Sequence, residues 1–332
     1  MSTDQRDKMN LEDSVVDRAE IPTRIPPPGS IAPLEENPIS PKNFKSDPPQ
    51  ELVQIAGYTF IDLLHDSERT LVYLAREEIT GRDVAIKQFR KEKEFTQEKK
   101  IQEIIINSKK EYHHLLLAYN FIEEQKTIIS PYLRGGNLHA LSNSLGPLKA
   151  RQTWVIAADL LTGLQDLHDL GMVYRDVKSR NAVVGITDPN LEKITAEGLE
   201  SFTDFNLKWC DFESVKHPGI PDLYEKDIIG TPRYMAPEVC RGEKYDLRSD
   251  IYGTGIILCR LVTGKYPFDA DNFLQIVQRQ IHDEFPDSIF YNTEITPGQK
   301  EVLKKSLAKD PEHRYQSAEE FRWAWSNELI TK

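Results

Sequence analysis

From Gly57 onward the chain alternates apolar and polar residues in short, β-branched runs. "YTFIDLL" (58–64), "TLVYLAR" (70–76) and "RDVAIKQF" (82–89) each predict a strand, since a period of two puts one face on a core and the other in solvent. Charged residues then surround Phe95, Ile101, Ile104 and Ile105 in "RKEKEFTQEKKIQEIIINSKKEY" (90–112), which predicts a helix. Strands resume in "AYNFIEE" and "KTIISPYL". After "RGGN" the apolar spacing becomes three and four. "ARQTWVIAADLLTGLQDLHDLG" reads as a helix that stops at Gly171, where a glycine can take the left-handed conformation. "NAVVGI" and "NLKWCDF" predict two further strands. Helical patterns follow in "DIYGTGIILCRLVTG", "DNFLQIVQRQIHD", "PGQKEVLKKSLAKD" and "SAEEFRWAWSNELI". Spacing alone therefore gives a β-rich part ending near Leu133 and an α-rich part after it, with no internal repeat.

Residues 1 to about 50 differ in kind. "IPTRIPPPGSIAPLEENPISPKNFKSDPPQ" is dense in proline and charge and has neither period, so a disordered tail is expected. The sharper alternative is a docking or phosphorylated segment such as "SPK" at Ser40.

The 332 residues are 39 % hydrophobic and 29 % charged, enough apolar material for a sizeable core. A net charge of −11 argues against generic nucleic-acid or anionic-membrane binding. Cys210, Cys240 and Cys259 are widely spaced and form no CxxC pair, and are read as reduced thiols in an intracellular protein. The N-terminus lacks an apolar signal core and no run approaches a membrane span, so a cytoplasmic or nuclear location is expected.

The candidate chemistry begins at "YRDVKSRN" (174–181), in a loop between a helix and a strand. It holds Asp176, Lys178 and Asn181 within six residues. A carboxylate can take a proton from a hydroxyl, a lysine can neutralise a moving phosphoryl group, and an asparagine oxygen can ligate Mg²⁺. Thirty-five residues after Asp176, "CDFE" offers Asp211 as a second metal ligand.

With "VAIK" upstream, these segments resemble the eukaryotic-type serine/threonine protein kinase family over about residues 57–328. "GTPRYMAPE" (230–238), "SDIYGTG" (249–255), "GKYPF" (264–268) and "DPEHRY" (310–315) extend the resemblance in order. It implies an α+β, two-lobed fold with a small β-rich N-lobe (about 57–133) and a larger helical C-lobe (about 134–328). It also implies ATP and Mg²⁺ as cofactors and a protein substrate. Carried over by position, Lys87 resembles the lysine on the α and β phosphates. Glu103 is expected as its helix partner, with Glu98 as the alternative. Asp176 resembles the catalytic base, Lys178 the phosphate-facing lysine, and Asn181 and Asp211 the Mg²⁺ ligands. Thr231 would help to position the substrate loop and Asp176. Around adenine the resemblance implies Leu64, Val72, Ala85 and Val183 as apolar walls and Ser130 at the back pocket. Pro131 and Leu133 would meet adenine through their backbone, and Asn137 would lie near the ribose. Glu238 with Arg314, and Asp250, resemble structural anchors of the C-lobe.

The sequence departs from the family at four places. Asp62 to Ala75 contains no glycine, although this is where a glycine-rich loop would close over phosphates. Tyr174 stands for the usual histidine before Arg175, and Glu213 for the glycine after Asp-Phe. "GITDPNLEKITAEGLESFTDFN" is longer than the family's hairpin and reads as a surface loop or a partner site. Arg175, which pairs with a phosphate in relatives, is expected to meet an acidic residue such as Glu225, or nothing. Two readings stay open: an active Mg-ATP-dependent serine/threonine protein kinase with weak ATP binding and slow turnover, or a pseudokinase that scaffolds or regulates a partner protein.

Overall fold

The computed structural model describes residues 54–186, 194–195, 198–199, 205–225, 229–291 and 293–330. The expected tail, residues 1–50, and most of the acidic insertion lie outside the described residues. The N-lobe is an antiparallel sheet of five strands: β1 (Tyr58–Asp66), β2 (Thr70–Glu77), β3 (Asp83–Phe89), β4 (Asn120–Ile122) and β5 (Thr127–Pro131), in the order β1-β2-β3-β5-β4. Helix α1 (Glu92–Asn107) follows β3. The C-lobe carries α2 (Leu138–Leu145), α3 (Ala150–Asp169), the hairpin of β6 (Ala182–Ile186) and β7 (Phe205–Trp209), and then α4 (Pro237–Cys240), α5 (Leu247–Thr263), α6 (Phe273–His282), α7 (Pro297–Ser306) and α8 (Ala318–Ile330). None of the described helices is long and apolar enough to cross a membrane.

Alternation along the strands sorts the N-lobe sheet into two faces. Tyr73, Ala75, Val84, Ile86 and Ile129 are buried together on one. Their neighbours along each strand point the other way: Val72 lies opposite Lys87, Leu74 opposite Ala85, and Ala85 opposite Ser130. At these positions the second face is half-buried, and its Lys87 reaches Asp211 of the C-lobe. Helix α1 joins both lobes. Its Phe95 packs with Phe89, Ala118 and Ile128 under the sheet, whereas Ile101 and Ile105 belong to the C-lobe core.

The C-lobe core gathers Leu160, Leu161 and Leu164 of α3 with Ile256, Ile257 and Leu258 of α5, all at most 1 % exposed. Truncating one such leucine to alanine costs about 2–5 kcal/mol. Gly135 is required where the interlobe connection meets β6, because a Cβ there would stand 2.6 Å from the Val184 carbonyl oxygen. Two polar anchors complete the scaffold. Arg314 grips both oxygens of buried Glu238 at 2.7 Å, and Asp250 accepts the backbone N–H groups of Tyr174 (2.8 Å) and Arg175 (2.9 Å). Asp250 also receives Tyr245 Oη at 3.2 Å and lies 3.0 Å from His168 Nε2, so this buried carboxylate is fully engaged.

The predicted elements are found with shifted ends. Helix α1 stops at Asn107, and Lys109, two residues on, already takes a positive φ of 61°. "AYNFIEE" yields only a three-residue strand, because Glu123–Gln125 turns into a 3₁₀ helix. Helix α2 is an addition to the predicted set. Its eight residues are half polar, and it starts where Asn137 Oδ1 accepts the Ala140 N–H at 2.9 Å.

Candidate active site

Lys87 reaches across the cleft from β3 and donates to two carboxylates, Glu98 Oε2 and Asp211 Oδ1, each at 2.6 Å. Burial pulls its ammonium pKa down, but Asp211 and Glu98 outweigh this and hold it above the usual lysine range. Glu98, rather than the expected Glu103, is therefore the helix partner. On a helix of 3.6 residues per turn, positions 98, 101, 102 and 105 share a face, while 103 lies about 140° round from 98. Glu98, Ile101, Gln102 and Ile105 are accordingly buried, and Glu103 faces solvent and pairs with Lys99 at 3.6 Å. Gln102 steadies Glu98 by donating to Oε1 at 3.0 Å and accepts the Ala118 N–H at 2.7 Å.

The second cluster sits on the loop after α3. Asp176 Oδ2 accepts from Asn181 Nδ2 at 2.9 Å and lies 3.1 Å from Lys178 Nζ. Asn181 Nδ2 also donates to the Asp176 carbonyl at 3.0 Å. Its amide nitrogen is thus engaged, and its amide oxygen is the end suited to a cation.

Asp211 joins the two clusters. Burial would push its carboxyl up, but Lys87, Lys178 and His65 hold it down at about 2, so it is ionised at neutral pH. Its φ is +64°, and that of Arg175 is +70°. Positive φ in residues other than glycine costs about 1–3 kcal/mol each and persists where neighbours enforce it. Here the residue preceding each supplies a tie: the Tyr174 hydroxyl donates to the Cys210 carbonyl. The buried Tyr174 ring also lies 5.1 Å from Trp209 and 6.2 Å from Phe212. The Cys210 N–H donates to the Asn181 carbonyl at 2.9 Å, which ties Asn181 to the residue before Asp211. Burial, with Asp211's charge, pushes the Cys210 thiol up to about 12.

Leu64, Val72, Ala85, Leu133 and Val183 are half-buried apolar side chains, and Val72, Ala85 and Ser130 share the face of the sheet that carries Lys87. Val183 is bridged to Asn137 where the lobes join. The Asn137 side chain caps α2. Pro131, last residue of β5, is exposed. The Thr231 hydroxyl is buried without a hydrogen-bond partner among the described residues, so no bond to Asp176 forms.

Some residues of the site were not expected. The β1–β2 turn is closed on itself. Ser67 Oγ accepts the N–H groups of Thr70 (3.0 Å) and Arg69 (3.3 Å), and Ser67 N donates to the Thr70 carbonyl at 3.0 Å. Asp66 pairs with Arg90 at 2.9 Å. Arg69 pairs with Glu213 at 3.0 Å. Burial and the Asp211 charge push the Glu213 carboxyl up to about 7. Arg175 finds its carboxylate in Asp222, 2.8 Å from each terminal nitrogen, and not in Glu225, which is exposed. These pairs span up to 144 residues, and only the acidic character of the segment after Phe212 hints at them.

A five-stranded lobe and a helical lobe, with a lysine–glutamate–aspartate bridge between them and an Asp-Lys-Asn loop beneath, define the class of the protein kinases. Residues 64–326 match the protein kinase domain, and the chain belongs to that family. It is similar to a probable serine/threonine-protein kinase of Streptomyces coelicolor, 31 % identical over 59 % of this chain and 27 % of the relative. It is 27 % identical to the serine/threonine-protein kinase PksC of the same species over 80 % of this chain and 48 % of that one. The serine/threonine-protein kinase PrkC of Bacillus subtilis is 28 % identical over 80 % of this chain and 40 % of its own length. The chain thus spans between 27 % and 48 % of the length of these relatives.

Proposed function

We propose that this protein transfers the γ-phosphoryl group of Mg-ATP to serine or threonine hydroxyls of a protein substrate. The carrying observation is the double bridge of Lys87, 2.6 Å from both Glu98 and Asp211, which presets an ammonium and an ionised carboxylate at one point of the cleft. In this reading Lys87 takes the α and β phosphates, and the half-buried side chains of Leu64, Val72, Ala85 and Val183 sandwich adenine. Ser130, Pro131 and Leu133 line the interlobe edge of that slot, and the Asn137 backbone lies on the ribose side.

Mg²⁺, when bound, neutralises phosphate charge. The residues fit it, since Mg²⁺ commonly takes one or two protein ligands plus phosphate oxygens, and Asp211 and the Asn181 amide oxygen supply hard oxygens. Asp176 accepts the hydroxyl proton while the substrate oxygen bonds to the γ-phosphorus and the bond to the departing ADP oxygen breaks. Lys178, 3.1 Å from Asp176, offers its charge to the group in transit. Thr231, whose buried hydroxyl has no partner among the described residues, is suited to hold the incoming substrate segment. The catalytic set and the likeness to serine/threonine-protein kinases count against the pseudokinase alternative. Incubation with γ-labelled ATP, Mg²⁺ and a generic basic protein tests the proposal: label should appear on serine or threonine, and only with Mg²⁺.

A further inference from the structure

The two most conspicuous departures of the sequence, a β1–β2 turn without glycine and a glutamate after Asp211–Phe212, meet in space. Arg69 of the turn donates through Nη1 to Glu213 Oε1 at 3.0 Å. The same oxygen receives the Tyr224 hydroxyl, and the Arg69 guanidinium lies 5.7 Å from the centre of the Tyr224 ring. Glu213 is 6 % and Tyr224 4 % exposed. A carboxylate so buried is costly unless it is paired, and here both donors converge on it. A glycine at 213 would offer the turn no such carboxylate.

The tie continues to the catalytic loop. Tyr224 N donates to Asp222 Oδ1 at 3.0 Å, and Asp222 is gripped by Arg175, next to Asp176. The other side of the turn is pinned as well, because Arg90 donates to the Ser67 carbonyl and to Asp66, both at 2.9 Å. The position of the turn is therefore set by contacts within the protein on both sides. Its Arg69 and Thr70 N–H groups already face Ser67 Oγ, so phosphate contact is not what orders it.

We propose that Arg69 and Glu213 are positioning residues that hold the β1–β2 turn at the phosphate end of the cleft, replacing the backbone–phosphate contacts a glycine loop would make. The inference rests on the nucleotide-binding reading above for its effect on ATP, but the tie itself exists without nucleotide. It makes the two departures one device: the carboxylate that Arg69 grips is there because residue 213 is a glutamate.

The test is a double-mutant cycle of Arg69→Met, Glu213→Gln and the pair, with Arg69→Lys as the conservative variant. Two quantities are read on the full chain: amide hydrogen exchange at residues 66–70 without nucleotide, and KM for ATP against kcat. Each single variant should speed exchange in the turn and raise KM about tenfold, the size of one charge-assisted hydrogen bond, with a smaller change in kcat. The double variant should be no worse than either single one, and Arg69→Lys should recover most of the loss. Additive effects, or unchanged exchange and KM in variants that melt like the wild type, would overturn the tie while leaving the kinase reading intact. Faster exchange in the variants of a protein that takes up no Mg-ATP would uphold the tie and sink the nucleotide reading instead.

Discussion

Arg175 holds Asp222 by both ends of its guanidinium, at 2.8 Å each, while its Nε donates to the Ser214 carbonyl at 2.6 Å. Lys216 adds a second positive charge, 3.4 Å from Asp222. An arginine beside Asp176 is thus neutralised by an encoded carboxylate, and Ser214 and Tyr224, the hydroxyls nearest it on the segment, are both buried. Activity is accordingly expected without phosphorylation of this segment. Phosphatase treatment should leave the transfer rate unchanged. Asp222→Asn should lower stability by about 3 kcal/mol, since it strands a buried guanidinium. A rate that falls on dephosphorylation and returns on rephosphorylation would refute this.

The same pair carries a pH signature. Burial alone would raise the Asp222 carboxyl, but the Arg175 hydrogen bonds and charge outweigh it and hold it below the ordinary aspartate value. Between the folded and unfolded values the unfolded chain binds more protons, so stability rises with pH across that window. The contribution is complete above about pH 4, the ordinary aspartate value, and is lost as pH falls through the folded value. The melting temperatures of wild type and Asp222→Asn should therefore converge in acid below that point. A gap that stays constant would show that the charge of Asp222 contributes nothing.

Glu98 and Glu103 differ in placement, the first buried against Lys87 and the second on the outer face with Lys99, and should differ in function. Glu98→Gln should cost about a hundredfold in kcat/KM, approaching Lys87→Met, because Lys87 would lose the carboxylate that orients it. Glu103→Gln, on the solvent face with Lys99, should change the rate less than twofold at most assay salts, as exposed pairs contribute about 0–1 kcal/mol. Equal losses in both variants would contradict the observed register of α1.

That register shows how far the sequence was legible. Alternation located β1 to β3 and periodicity located α1, α3 and α6 to α8, where apolar and polar positions recur with the period of the element, whereas α5 is buried nearly all round and shows as a long apolar run. Ile101 and Ile105 mark the buried face of α1, and Glu98 stands three and seven residues before them, but the run Ile104–Ile106 blurs the stripe. Helix α2 escaped notice because it is short, and its start depends on one cap at Asn137. Asp222 and Glu225 are only three residues apart, and nothing local tells which one turns toward Arg175. The Arg69–Glu213 pair belongs to packing between lobes, which no window of sequence contains.

The closed turn explains why ATP should bind weakly. Ser67 Oγ occupies two N–H groups that a phosphate would otherwise meet. Ser67→Gly together with His65→Gly should free them and tighten Mg-ATP about tenfold, measured by calorimetry, since about 1.4 kcal/mol is a factor of ten. Unchanged affinity would mean that the turn does not limit binding.

The most direct measurement compares wild type and Asp176→Asn for two properties side by side: Mg-ATP affinity, and transfer of the γ-phosphoryl group to protein serine or threonine. Nucleotide affinity is expected to come from Lys87, the apolar walls and the proposed metal ligands, whereas Asp176 is expected to act on the substrate hydroxyl. The account predicts slow, Mg²⁺-dependent transfer by the wild type and its loss in Asp176→Asn, with affinity nearly unchanged. No transfer by the wild type, or equal transfer by both proteins, would contradict it.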